Sequence, residues 1–223
     1  MTKRTRPDQT EQSRSRRERI LDAAFTTFAG RGYRDASVDD IAAAAETSKG
    51  GVYFHFPTKE SIFRELMRTT ADKLVAKVER AVAAEDDPIA QAEIAIRTVL
   101  ATFAGHRTMA RLLFLDVIGA GRVFQAEANE LHERFAILIQ GYLDQAIADG
   151  VIPPTDTRVT SIAWFGALNE IVGRWLQADQ PERLEDAYPA LRAMLLRSVG
   201  VAEERIARLP SPTAPGAFPE AAR

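Results

Sequence analysis

Two short amphipathic segments, each opened by a serine and joined by a tight turn, most constrain what this chain can fold into. Residues 37–60 read Ser-Val-Asp-Asp-Ile-Ala-Ala-Ala-Ala-Glu-Thr-Ser-Lys-Gly-Gly-Val-Tyr-Phe-His-Phe-Pro-Thr-Lys-Glu. Ser37 is a good N-cap, and Asp39 and Asp40 follow where carboxylates favour the positive end of a helix dipole. Val38, Ile41 and Ala42 form the buried side. Ala45-Glu46-Thr47 is the turn, and Ser48 caps a second helix. Pro57 ends that helix and pushes Phe56 toward an extended conformation. Val52 and Phe56, four apart, should point into a small core with Ile41 and Phe28. Lys49 and Tyr53 share another face, flanked by His55. Were Tyr53, Phe54 and His55 only the core of a small three-helix unit, Phe54 would be the one most nearly buried. Gly50 and Gly51 carry no bulk, so the backbone there can come close to a partner. Two helices joined in this way form a helix-turn-helix, whose second helix fits the DNA major groove.

Composition narrows the rest. The chain has 223 residues, enough for one small and one larger domain, and a formal net charge of −2. As a whole it is not a basic nucleic-acid binder. Its charge is uneven, however: Lys3, Arg4, Arg6, Arg14, Arg16, Arg17 and Arg19 face only Asp8, Glu11 and Glu18 in residues 1–20. Such an arm points to a local anionic partner. There are no cysteines, which excludes disulfides and thiolate metal sites. The basic N-terminus lacks the apolar run of a signal peptide, and no stretch approaches the roughly 20 apolar residues that span a bilayer. The expectation is a soluble, cytoplasmic protein with no membrane association, no cofactor and no metal.

The periodicity is helical throughout, with no period-2 strand and no internal repeat. Residues 1–12 are expected to be a disordered basic arm. A helix begins at about Ser13, carries Ile20, Leu21, Ala24, Phe25 and Phe28, and ends at Gly30 and Gly32. Thr58 caps a helix reaching about Ala84, and helices follow at about 88–104, 107–118, 122–149, 156–178 and 182–199. Gly105, Gly119–Gly121, Gly150 and Asp179 to Pro181 punctuate them. The expected organisation is all-α: a helix-turn-helix DNA-binding domain over 13–60, a helical regulatory and dimerisation domain over 61–203, and a disordered tail over 204–223.

Ser-Lys-Gly-Gly-Val-Tyr-Phe-His-Phe-Pro-Thr-Lys-Glu resembles the recognition helix and following turn of TetR-family regulators. The preceding Ala-Phe…Phe-Ala-Gly-Arg-Gly-Tyr and Ser-Val-Asp-Asp-Ile-Ala agree in order and spacing, so the resemblance covers about residues 15–65. It implies an all-α homodimer with a DNA-binding head and a ligand-binding body. By position, it implies phosphate contacts from Ser37, Ser48, Lys49, Tyr53, His55 and Lys59, and base contacts around Thr47, Gly51 and Phe54, with Gly50 allowing close approach. Two departures stand out. Glu46 occupies a turn position that is usually glycine, so the turn carries strain or adjusts its dihedrals. Gly51 replaces a commonly hydroxylated residue, so sequence preference rests more on Thr47, Lys49, Phe54 and DNA shape.

The remaining helices are rich in apolar and aromatic residues, as any bundle must be to pack. A bundle of this kind also makes an apolar ligand cavity with a few polar groups. The candidate lining is Phe103, His106, Met109, Arg111, Phe114, Phe135, Trp164, Phe165 and Asn169. The helix at 156–178 is apolar on more than one side. With the helix at 182–199 it resembles the pair that forms the four-helix dimer interface of the family, through Leu168, Val172, Trp175, Leu191 and Leu195. The expected function is a repressor, a homodimer released from a palindromic DNA operator by a small, largely apolar effector, lipid- or acyl-CoA-like or drug-like. A non-inducible DNA-binding regulator is the alternative. A helical enzyme is a third class, but Gly-x-Ser-x-Gly, Walker and His-Glu-x-x-His motifs are all missing from the sequence.

Overall fold

The computed structural model describes residues 9–112, 114, 124–178 and 183–208, with side chains from Ser15 onward. It is all-α. Helix α1 (Gln9–Asp35) begins four residues before the expected start at Ser13. Ile20, Ala24 and Phe28, four apart, are fully buried and face one core. Gly30 does not end the helix. The break is at Gly32, whose φ of 78° and ψ of 161° are open to glycine almost alone.

Ser37 then caps α2 (Val38–Ala44) in a reciprocal box. Its hydroxyl accepts from the Asp40 amide at 3.1 Å, and the Asp40 carboxylate accepts from the Ser37 amide at 3.0 Å. The hydrogen bonds from Ser37 hold the Asp40 carboxyl below its usual range. Glu46 lies in the turn with φ at 51°, the left-handed conformation that its non-glycine side chain disfavours. Ser48 caps α3 (Lys49–His55) by accepting from the Gly51 amide at 3.0 Å. Thr58 and Ser61 form another mutual cap at the start of α4 (Lys59–Val82). Val52, Phe56, Ile41 and Phe28 are all buried. Beside them, Phe28, Tyr33 and Phe63 form a ring cluster with centroids 4.8 to 5.6 Å apart.

The chain divides into two compact units, one up to Thr70 and one from Ala71. In the second, Asp87 caps α5 (Pro88–Gly105), with Pro88 in the first turn, where a missing amide costs nothing. There follow α6 (Arg107–Arg111), α7 (Gln125–Ala148) and α8 (Thr157–Gln177), the last capped by Asp156. A 3₁₀ turn (Leu184–Ala187), α9 (Tyr188–Ser198) and α10 (Glu203–Arg208) complete it. Helices α7 and α8 share the most extensive helix–helix contact. Leu100, Leu191, Leu195, Leu196 and Tyr188 are buried in one core. Within it, Glu93 accepts from the Tyr188 hydroxyl at 2.7 Å and from Arg192 at 3.1 Å. Burial, with that hydrogen bond, raises the Tyr188 phenol above its ordinary pKa.

Two expectations change. The helix expected at 182–199 is a 3₁₀ turn followed by a shorter α-helix, with Pro189 in the first turn of α9. Of the helix expected over 107–118, α6 covers Arg107–Arg111, and 113 and 115–118 lie outside the described residues. The tail from 204 opens with helical residues, α10. Lys3, Arg4, Arg6, Leu113, Leu115, Gly119–Gly121, Arg122, Asp179 to Pro181 and residues 209–223 lie outside the described residues.

The two unusual backbone positions give opposite expected outcomes. Nothing lies within 4 Å of a Cβ added at Gly32, so Gly32→Ala tests the dihedral alone and should destabilise the head by about 2 kcal/mol. Glu46→Gly should stabilise it by about 1 kcal/mol. Thermal denaturation followed by circular dichroism checks both signs.

Candidate nucleic-acid interface

Helix α3 is short, so its faces are set by a few residues. Val52 and Phe56 bury one side and hold it to the head. On the other side Tyr53 is 43% and Phe54 82% exposed, and Lys49 is exposed beside them. Phe54 is therefore not core. Two residues along a helix turn through about 200°, so Phe54 lies almost opposite Val52. Its ring meets His55 edge-on, with centroids 5.1 Å apart. An outward aromatic can stack on bases or touch a thymine methyl.

The glycines have different reasons. A Cβ at Gly51 would sit 2.5 Å from the Thr47 hydroxyl oxygen, so the Thr47 side chain fills the space in front of Gly51. At Gly50 the nearest atom would be the Ser48 hydroxyl at 3.9 Å, leaving room for close approach. Ser37 and Ser48, expected at phosphates, both serve as helix caps here; the Ser37 hydroxyl also donates to Asp40 at 2.6 Å.

Three cations matter beside α3. Lys49 makes an ion pair with Asp39 at 2.8 Å, and this hydrogen bond raises the lysine pKa. Arg17 lies 4.8 Å from the Phe56 ring centroid and pairs with Glu65 at 2.9 Å, binding α1 to the residue that follows α3 and to the second turn of α4. Partial burial, with Arg16 and Arg17 nearby, lowers the His55 pKa. That shift favours the neutral imidazole. Lys59 is turned inward, onto the backbone carbonyls of Tyr33, Arg34 and Ala36.

Sequence reasoning missed the Asp39–Lys49 pair, the Arg17 contacts and the inward Lys59. Each spans ten or more residues, beyond the reach of helical periodicity.

In the second unit, Phe103 and Trp164 share one core, with Met109, Phe114 and Phe135 packed on it. Phe103 and Phe114 meet edge-on at 5.1 Å, and Phe135 stacks on Phe165 at 5.8 Å. Trp164 donates to Ser198 at 2.9 Å. Asn169 is half-buried, while His106 and Arg111 are exposed. Five aromatics of the candidate lining are thus in or near one core.

Among the expected dimer residues, Val172, Leu191 and Leu195 are buried in their own chain. They have no surface to give a partner. Leu168 and Trp175 are half-buried, and Trp175 lies under Arg107, which also donates to the carbonyls of Trp175, Leu176 and Ala178 at the end of α8. The large apolar side chains left exposed in this unit are Ile137 on α7, Val159 and Ile162 on α8 and Met194 on α9. The three-residue spacing of Val159 and Ile162 was the available sequence signal for that pair.

No helix among the described residues is long and apolar enough to cross a membrane. Residues 20–66 match the family model described as bacterial regulatory proteins, tetR family, and residues 85–199 match a tetracyclin repressor-like C-terminal domain. The HTH-type transcriptional repressor KstR2 of Rhodococcus jostii is 35% identical over 147 residues, covering 64% of this chain and 71% of that protein. Two solved structures share the fold. The transcriptional regulator FadR of Bacillus subtilis, in complex with stearoyl-CoA, has a TM-score of 0.74 at 23% identity, covering 83% of this chain and 99% of that one. The fatty acid degradation regulator FadR of Bacillus halodurans has a TM-score of 0.74 at 24% identity, covering 80% and 97%.

Asp39 competes with any phosphate for Lys49. Asp39→Asn should therefore tighten binding to duplex DNA by about two- to fivefold at low salt, with the gain shrinking as salt rises. Fluorescence anisotropy at two ionic strengths measures it.

Proposed function

The chain belongs to the tetR family of bacterial regulatory proteins, whose members regulate transcription by binding DNA through a helix-turn-helix, and from that premise we propose that it is a homodimeric repressor which a largely apolar ligand releases from its operator. The observation that carries the DNA-binding part is the outward face of α3, where Lys49, Tyr53 and Phe54 stand exposed while Val52 and Phe56 anchor the helix. Lys49, Tyr53, Ser48 and His55 meet phosphates, and Phe54 and Thr47 meet base edges, with Gly50 letting the backbone approach. The two recognition helices of a dimer must lie about 34–36 Å apart to reach successive major grooves.

The ligand class is supported by the aromatic second unit and by the stearoyl-CoA held by the structural neighbour from Bacillus subtilis. A ligand releases DNA only if it binds the DNA-incompetent arrangement more tightly than the competent one. Helix α4 belongs to both units, so it is the natural carrier of that difference. The homodimer is supported by the apolar side chains left exposed, Val159, Ile162 and Met194, in place of the buried Val172, Leu191 and Leu195.

The functional test is a gel shift with the DNA flanking the protein's own gene, repeated with stearoyl-CoA, free coenzyme A and stearate. A retarded band that stearoyl-CoA abolishes supports the reading. Binding that no acyl thioester or other apolar metabolite relieves would favour a non-inducible regulator. Lys49→Ala should weaken binding across sequences and reduce the salt slope by about one unit for each copy on the operator. Phe54→Ala should cost about tenfold in specific binding, with no change in melting because the ring is exposed.

The assembly has a separate expected outcome. Ile162→Glu together with Met194→Glu should convert a dimer to a monomer in analytical ultracentrifugation while the helical signal is kept. A dimer that survives both changes places the interface elsewhere.

A further inference from the structure

The helix-turn-helix joins the rest of the head at two points. The chain enters it at Ala36–Ser37 and leaves it at Pro57–Lys59. Both points meet at one ammonium group. The Lys59 Nζ donates to the carbonyls of Tyr33 at 2.9 Å, Arg34 at 3.3 Å and Ala36 at 2.9 Å. It also lies 4.5 Å from the Tyr33 ring centroid. An ammonium has three donors and no acceptor, and here three carbonyls take all three.

The carbonyls need a partner for a local reason. Gly32 breaks the helical path of α1, so the residues after it sit at a helix end where carbonyls lack amide partners. A cation placed there also meets the negative end of the helix dipole. The neighbouring residue reinforces the contact from the other side: the Tyr33 hydroxyl donates to Glu60 at 3.1 Å. Lys59 and Glu60, the first two residues of α4, thus hold the end of α1 and the entry to α2 together.

We propose that Lys59 is a positioning residue for DNA binding: its ammonium closes the helix-turn-helix loop between residue 36 and residue 59, and so sets how α3 is presented, without touching a phosphate. The inference rests on the DNA-binding reading above. A phosphate would have to break three hydrogen bonds already made, whereas Lys49 has one surface partner to exchange. Arginine cannot replace Lys59, because its flat fork of donors does not converge on three carbonyls around one point.

The test has one arm with DNA and one without. In the whole protein without DNA, the Lys59 ammonium protons should exchange slowly enough to be seen by NMR at neutral pH. Lys59→Met should raise amide exchange in α2 and α3. With a duplex that the wild-type protein selects from a random-sequence library, Lys59→Met and Lys59→Arg should both lose about tenfold in affinity, the scale of one charge-assisted hydrogen bond. The loss should persist well below each variant's melting temperature, with the wild-type salt slope kept. The proposal is overturned if Lys59→Arg binds like the wild type, or if Lys59→Met lowers the salt slope by about 0.9 per copy bound, the signature of a lost phosphate contact. If the wild type selects no duplex, the DNA-binding reading fails. The exchange measurements then decide the loop closure alone, and unchanged protection in α2 and α3 would sink it.

Discussion

The end of α1 is where the head acquires its geometry. Gly32 takes a conformation open to glycine almost alone, the helix stops, and backbone carbonyls are left pointing outward. A helix end without partners would fray. Here Lys59 supplies a charge and three donors, and the Tyr33 ring beneath it packs on Phe28 and Phe63. The helix-turn-helix is thereby suspended from a point that is partly electrostatic and partly apolar. Its own interior is modest: Val52 and Phe56 from α3, Ile41 and Val38 from α2. So short a pair of helices would not persist alone, since isolated helices under about 12 residues are marginal in water. Caps at Ser37, Ser48 and Thr58 satisfy the first amides of three successive helices, and the cations at Arg17 and Lys59 fix how those helices meet.

The second unit is held by a different balance. Its core is mainly leucine and aromatic, with a buried ion pair, Glu93 and Arg192, in which Glu93 also accepts from Tyr188. Breaking one partner of such a network leaves an uncompensated buried charge, which is costly. The network ties α5 to α9, so the helix proposed to meet a second copy is joined to one that helps form the core. The aromatic pairs Phe103–Phe114 and Phe135–Phe165 lie in or beside that core. A ligand that displaced them would act on a packed core, and packed protein interiors switch between arrangements more readily than they deform.

What was legible in the sequence follows the range of the interaction. The caps at Ser37, Ser48 and Thr58 act within three residues, and the Val52–Phe56 pair within four, so spacing alone located them. Phe54 lies almost opposite Val52 on the helix, and that angle leaves it exposed although its ring is apolar. Val172, Leu191 and Leu195 were read as interface because a heavily apolar helix does not say which stripe faces its own core. The structure buries those three and leaves Val159, Ile162 and Met194 outside.

The sequence by itself determined the all-α class and the helix-turn-helix, because capping, helical periodicity and glycine breaks are local and each residue type has one main reason to be there. It also marked Glu46 as a strained turn residue, and φ at that position is indeed positive. Only the tertiary structure decided what the cations do. Lys49, Lys59 and Arg17 are all basic residues near one short helix, yet one pairs at the surface with Asp39, one closes a loop on three carbonyls, and one bridges Phe56 and Glu65. Those roles depend on partners 10 to 48 residues away along the chain, and a charge's role is set by what the fold brings beside it.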